Sequence, residues 1–219
     1  MRKLAHFISS HGIMSRRAAE RLIESERVRV NGVIGRCAMR CSASDSVTID
    51  DTPLKQERVK LYMLNKPPMY LVTHRKTDEK KTIFDLIDKQ LGHLTFCGRL
   101  DYLSQGLLLL TNSPDLAHKF TTSDMKRVYK VKVDKIDPSL PFFCKNPILD
   151  GVRLKPIEFS NQDNELTLGL FEGKNREIRR IIKAFNMKVF SLKRTSYGPF
   201  NCNIPTGKIK EILNWETMV

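Results

Sequence analysis

The chain has 219 residues, 41% hydrophobic and 28% charged, enough for one good core with a small satellite domain. Its 38 Lys and Arg against 24 Asp and Glu give a formal charge of +14, which points to an acidic polymer, with RNA or DNA ahead of an anionic membrane. No stretch approaches the ~20 apolar residues of a membrane span, and Met1 to Ser10 lacks the apolar run of a signal peptide.

The five cysteines are scattered, odd in number and without a C-x-x-C pair, which argues against a disulfide framework and fits a reducing, cytoplasmic setting. The histidines form no cluster with them or with one another, so no protein-bound metal is expected.

In chain order, Leu4, Phe7 and Ile8 make a short apolar stripe that His11-Gly12 stops. Ser15 is a natural N-cap for a second helix, behind which Ala18, Ala19, Leu22 and Ile23 fall at helical spacing. Arg16, Arg17 and Arg21 cluster on the polar side of that helix, as either a solvated face or a surface for phosphates. Val28 and Val30 alternate with Arg27 and Arg29, and Asn31-Gly32 is a strong hairpin signal. The helix "S-R-R-A-A-E-R-L-I" and the strand-turn "V-R-V-N-G" resemble the S4 RNA-binding domain, with a match over residues 1–58. Thr52-Pro53 and the polar run from Lys55 to Arg58 read as the linker to a second domain, 59–219.

In that second part "KLYMLNKPPMYLVT" reads as a strand running into a rigid turn at Lys66-Pro67-Pro68. "TIFDLIDKQLG" carries Ile83, Leu86, Ile87 and Leu91 at helical spacing. Leu94 and Phe96, then Leu107 to Leu110, read as two buried strands with one acid, Asp101, at the turn between them. By itself Asp101 is a turn former or a reactive group on a rigid scaffold.

"KRVYKVKV" puts Tyr129, Val131 and Val133 on one face and Val128, Lys130 and Lys132 on the other. After Gly173, Ile178, Ile181, Ile182 and Phe185 form a buried stripe, with Arg176, Arg180 and Lys183 opposite, where they could meet phosphates. Arg179 falls beside the stripe, where it needs a carboxylate partner or lays its stem along the core. Strands dominate, so the fold class is α+β.

"G-R-L-D-x-x-S-x-G-L-L-L-L-T-N", "R-V-Y-K-V" and "E-G-K-N-R-E-I-R-R-I", in this order, resemble the motifs of a pseudouridine synthase. With the S4-like segment in front, the chain is similar to the ribosomal small-subunit pseudouridine synthase A family, which also holds large-subunit rRNA enzymes. The resemblance implies a catalytic domain with a large, mainly antiparallel mixed sheet, no cofactor, and ribosomal RNA as partner, free or in a ribosomal subunit precursor. No membrane association is expected from the sequence, and nothing in it suggests an obligate dimer, so a monomer is the default. Asp101 matches the catalytic aspartate, Tyr129 the active-site tyrosine and Arg179 the arginine that pairs with the aspartate. "L-N-K-P" at Leu64 to Pro67 matches the first motif, which shapes the same cleft. Lys66, Arg99, Arg176 and Arg180 are thereby expected, with Arg16, Arg17 and Arg21, to contact RNA.

On this resemblance an ionised Asp101 acts on the ribose, by attacking C1′ or by removing a neighbouring proton. Arg179 keeps it charged and directed against the desolvation of a closed cleft. Tyr129 stacks on the base and is a candidate for accepting the C5 proton. Arg99 holds a phosphate or fills the gap left by the extruded base. The sequence departs from the family pattern at Leu103, usually Asp or Asn, at Met69, usually Gly, and at Ser113-Pro114, usually Asp-Gly. Two other readings have less support. One is a non-catalytic S4-type RNA-binding or ribosome-assembly factor, and the other a glycosidase-like enzyme pairing Asp101 with Asp115 or Asp124.

Overall fold

A computed structural model of the chain describes residues 1–75 and 77–218. Its backbone divides into two units, one of Met1–Leu61, Asp88–Cys97 and Leu110–Thr121, the other of Tyr62–Ile87, Gly98–Leu109 and Thr122–Val219.

In the first unit β1 (Arg2–Lys3) leads into α1 (Leu4–Ser10), and α2 (Arg16–Glu24) follows. Ser15 caps α2 by accepting a hydrogen bond from the Ala18 amide at 3.1 Å, which satisfies one of the free donors of the first turn. The hairpin of β2 (Val28–Val30) and β3 (Val33–Ile34) turns at Asn31 and Gly32, whose φ values of 51° and 81° are those of a type I′ turn. β4 (Arg40–Cys41) pairs with β1. β5 (Val47–Ile49) pairs with β2 and with β6 (Thr52–Pro53).

Thr52-Pro53, expected as linker, is therefore a strand. Asp50 and Asp51, both at positive φ, turn the chain back on itself, and Pro53 is tolerated because it lies on the sheet edge. Leu4, Ile8, Ala19, Ile23, Val28 and Val47 close the core of this part.

The second unit is built on a sheet. Its strands are β7 (Leu61–Lys66), β9 (Gln105–Thr111, which belongs here as far as Leu109), β10 (Arg127–Val133), β13 (Glu158–Gln162), β14 (Glu165–Leu170), β15 (Val189–Tyr197), β16 (Phe200–Asn201) and β17 (Ile209–Glu211). They run in the order β13-β14-β10-β15-β9-β7-β17, with β16 paired to β15. Most pairs are antiparallel and β15 with β9 is parallel, so the sheet is mixed. The end of β9 pairs with β8 (Thr95–Phe96) in the first unit, where α3 (Pro114–Thr122) also begins.

Along β10 the alternation is as clean as the sequence: Arg127, Tyr129, Val131 and Val133 are buried, while Lys130 and Lys132 are exposed. α4 (Leu140–Lys145) and a small hairpin of β11 (Ile148–Leu149) and β12 (Val152–Arg153) follow. α5 (Glu177–Ala184) buries Ile178, Ile181 and Ile182, three of the four positions read as its stripe. Phe185 closes the helix as its C-cap.

The stretch expected as one helix over "TIFDLIDKQLG" is two separate 3-10 turns, Ile83–Leu86 and Lys89–Leu91. Local polar bonds account for the break. The Thr82 amide donates to Asp85 and the Gln90 amide to Asp88, and between them Ile87 is extended at φ −104° and ψ 129°. Among the described residues, no helix is long and apolar enough to cross a membrane.

Candidate active site

Asp101 sits in the second unit at the start of a tight turn, closed by a 3.0 Å bond from the Ser104 amide to the Asp101 carbonyl. The turn is anchored from beneath by Lys66, the last residue of β7, which has no exposed surface. Its ammonium donates to the carbonyls of Ser104 at 2.7 Å, Pro67 at 3.0 Å and Tyr102 at 3.3 Å. Three hydrogens thus meet three acceptors, which is what makes a buried ammonium tolerable. Burial still pulls Lys66 down to about 8, and the field of Asp101 opposes that shift. Expected among the RNA-contacting cations, Lys66 instead holds the backbone of the Asp101 turn and cannot reach a phosphate.

The Asp101 carboxylate, 27% exposed, faces the first turn of α5. Arg179 Nε lies 3.7 Å from Asp101 Oδ2, and Arg176 Nη1 lies 4.0 Å from the same oxygen. These are ion-pair distances, too long for hydrogen bonds, and the buried Arg179 Nε has no hydrogen-bond partner among the described residues. Arg179 Nη2 donates to Ser104 Oγ at 3.4 Å, so one guanidinium touches both ends of the turn. Burial pulls the Arg179 pKa down, Asp101 opposes the shift and Arg176 adds to it. Arg176 is left-handed, at φ 47°, and α5 begins directly after it, so two cations from the start of one helix converge on one carboxylate.

Tyr129 is buried on β10, opposite Arg194 of β15, and Arg194 is in turn opposite Gly106 of β9. One row of backbone pairings therefore runs from the tyrosine to the strand that leaves the Asp101 turn. Gly106 is at φ +100°, and a Cβ there would stand 2.2 Å from the Arg194 carbonyl oxygen. Only glycine permits this approach. Arg194, 2% exposed, donates from Nε to the Leu107 carbonyl at 2.7 Å and lies over the Tyr197 ring at 5.1 Å. Arg127 stacks on the same ring at 4.6 Å and donates to its hydroxyl at 2.8 Å.

Of the remaining residues expected at the site, Arg99 and Arg176 are exposed, whereas Arg180 is held by Asp150 at 3.1 Å. Arg16, Arg17 and Arg21 lie exposed along α2 in the first unit. The acids of the glycosidase-like reading have partners of their own. Asp115 pairs with Arg2 at 2.6 Å and with His6 at 3.1 Å, and Asp124 pairs with Lys155 at 2.6 Å.

Sequence reasoning did not single out Ser104 or Arg194. Ser104 lies inside the quoted "G-R-L-D-x-x-S-x-G" stretch and was legible there as a polar residue with a fixed place. Arg194 occupies an inward position between the buried Leu192 and Tyr197, where an arginine is conspicuous only once the strand's faces are known.

The pattern of residues 60–184 matches the family described as RNA pseudouridylate synthase. A protein of Rickettsia felis named an uncharacterized RNA pseudouridine synthase is 39% identical over 225 residues, covering 98% of each chain. The ribosomal large subunit pseudouridine synthase B of Bacillus subtilis is 28% identical, over 97% of this chain and 92% of its own. Among solved structures, a pseudouridylate synthase superposes with a TM-score of 0.71 at 25% identity, covering 99% of this chain and 98% of the other.

Proposed function

The chain belongs to the RNA pseudouridylate synthase family, and on that premise we propose that it isomerises a uridine of ribosomal RNA with Asp101 as its reactive carboxylate. The observation that carries this reading is the convergence of the Arg179 and Arg176 side chains on Asp101. A partly exposed carboxylate flanked by two cations can approach a ribose, while Lys66 and Ser104 keep its backbone still.

In the reaction the N1–C1′ bond breaks, the uracil turns over, and a C5–C1′ bond forms. The hydrogen leaves C5 and N1 gains one, so nothing is consumed. Asp101 either attacks C1′ or removes a proton beside it, and both routes need it charged. Tyr129 stacks against the uracil, and its hydroxyl takes the C5 proton.

Residues 1–58 form an S4-like RNA-binding domain in this proposal, with 59–219 as the catalytic domain. The basic α2 supports an RNA-docking role for the former. Ribosomal RNA as substrate, free or in a subunit precursor, is supported by the name of the Bacillus subtilis relative. Mapping pseudouridines in rRNA from cells with and without this chain tests the proposal. One uridine should lose its pseudouridine without the chain and regain it when purified protein is added. An unchanged rRNA map would end the ribosomal assignment.

A further inference from the structure

Two of the large apolar side chains that the molecule leaves in solvent belong to the Asp101 turn and to the segment whose backbone is bonded to it. Leu103, within the Asp101–Ser104 turn, is 55% exposed, and Met69, just after the Lys66-Pro67-Pro68 turn, is 60% exposed. Single exposed aliphatics are ordinary on protein surfaces. These two differ because their backbones are fastened together. The Met69 amide donates to the Tyr102 carbonyl at 2.7 Å, and Lys66 holds the carbonyls of Pro67, Tyr102 and Ser104. Met69 also carries a left-handed backbone at φ +65°, a conformation that glycine adopts more easily. A large side chain is therefore kept there at a conformational cost.

The surroundings are cationic. Arg99 precedes the turn and is exposed, Arg176 stands 4.0 Å from Asp101, and Lys80 lies over the Tyr102 ring at 5.2 Å. Cations around a small rigid apolar tip suit a stacked nucleic acid, whose phosphates they can meet while the tip contacts base faces.

We infer that Leu103 and Met69 form an apolar wedge that enters the RNA base stack beside the target uridine as that base is swung out to Asp101. A uracil inside a stacked helix cannot be detached and turned over, and its removal leaves a gap whose filling offsets part of the unstacking cost. Aliphatic side chains fill such a gap without needing a hydrogen-bond partner, so the wedge is indifferent to the neighbouring sequence. It makes Leu103 and Met69 positioning residues for substrates whose target is stacked.

The inference rests on the family's activity and not on ribosomal RNA being the substrate. The test RNA is accordingly a hairpin cut from whichever RNA loses its pseudouridine when the chain is removed, with 2-aminopurine next to the target. A second hairpin has the bases beside the target mismatched, so that they are already unstacked.

Wild-type protein should raise the 2-aminopurine fluorescence on binding. Leu103→Asn, with the same number of side-chain heavy atoms but polar, should at least halve that rise. It should also slow single-turnover conversion of the paired hairpin about tenfold, with Met69→Gly smaller and the double variant larger. The mismatched hairpin should recover most of the loss, and Leu103→Met should behave nearly as wild type. Both side chains are exposed, so the melting temperature serves as the folding control. Equal losses on the two hairpins, or an undiminished fluorescence rise, would overturn the wedge. Failure of wild-type protein to act on ribosomal RNA would overturn only the substrate assignment.

Discussion

Arg179 braces the turn that presents Asp101 at both ends, with Nε 3.7 Å from Asp101 Oδ2 and Nη2 bonded to Ser104 Oγ. Without it the carboxylate keeps, among the ion pairs of the described residues, the one with Arg176, at 4.0 Å and half exposed, where solvent weakens the pairing. Arg179→Met is expected to lower single-turnover conversion by about 10²-fold. Arg179→Lys should recover little, because a point charge cannot serve Asp101 and Ser104 together. A rate within a few-fold of wild type for Arg179→Met would remove the orienting role.

Asp101→Asn preserves shape and removes the charge that the ribose chemistry requires. Conversion should fall by more than about 10³-fold, read by carbodiimide adduct stops in reverse transcription. RNA affinity in a filter assay should stay within a few-fold, because the residues proposed to meet phosphates are basic side chains elsewhere. Normal conversion by this variant would assign the chemistry to another group.

Tyr129→Phe keeps the ring proposed to stack on the base and deletes the proposed proton acceptor. Its kcat should fall by about 10²-fold or more with KM little changed, and deuterium at C5 of the uridine should slow turnover further. Tyr129→Ala removes a buried ring as well and should cost about 3–5 kcal/mol of stability in chemical denaturation. An unchanged kcat for Tyr129→Phe would leave the tyrosine only a stacking role.

Lys66 makes stability and activity respond to pH in opposite directions. Its pKa is about 8 in the folded chain against roughly 10.4 in an unfolded one, so in that window the unfolded state binds more protons. The buried ammonium therefore costs stability below pH 8, and the cost is relieved as pH rises from 8 to about 10.4. Activity should decline over the same rise, because a neutral amine has two hydrogens for three carbonyls and no charge beside Asp101. A pH-rate profile falling near pH 8, with no matching fall in urea-unfolding free energy, is the expected result. Lys66→Met should convert slowly at every pH and lose that inflection.

Replacing Arg16, Arg17 and Arg21 by Gln tests the first unit. If that face lies on RNA, the slope of log K against log salt should flatten by about 0.7–0.9 for each phosphate no longer neutralised. An unchanged slope would exclude this face from the complex.

Elements defined by short-range rules were legible in the sequence. The Ser15 cap, the Asn31-Gly32 turn, the alternation of β10 and the Ile178, Ile181 and Ile182 stripe each depend on residues within a turn or two of one another. Their geometry is set by backbone and side-chain periods that carry no information from afar. The motif order also pointed to Asp101 and Arg179, though not to their 3.7 Å approach.

Only the tertiary structure decided the rest. Lys66 looks like a surface cation in the sequence, and it is buried because distant carbonyls of Tyr102 and Ser104 complete its hydrogen bonds. Gly106 reads as an ordinary strand glycine until the parallel pairing with β15 brings the Arg194 carbonyl to where its Cβ would be. The pattern over 82–92 fits a helix, and local polar bonds of Asp85 and Asp88 resolve it into two turns. A periodic pattern reports which side of a segment is apolar. Whether a polar group can be buried, or a glycine is required, depends on what another part of the chain supplies at that point.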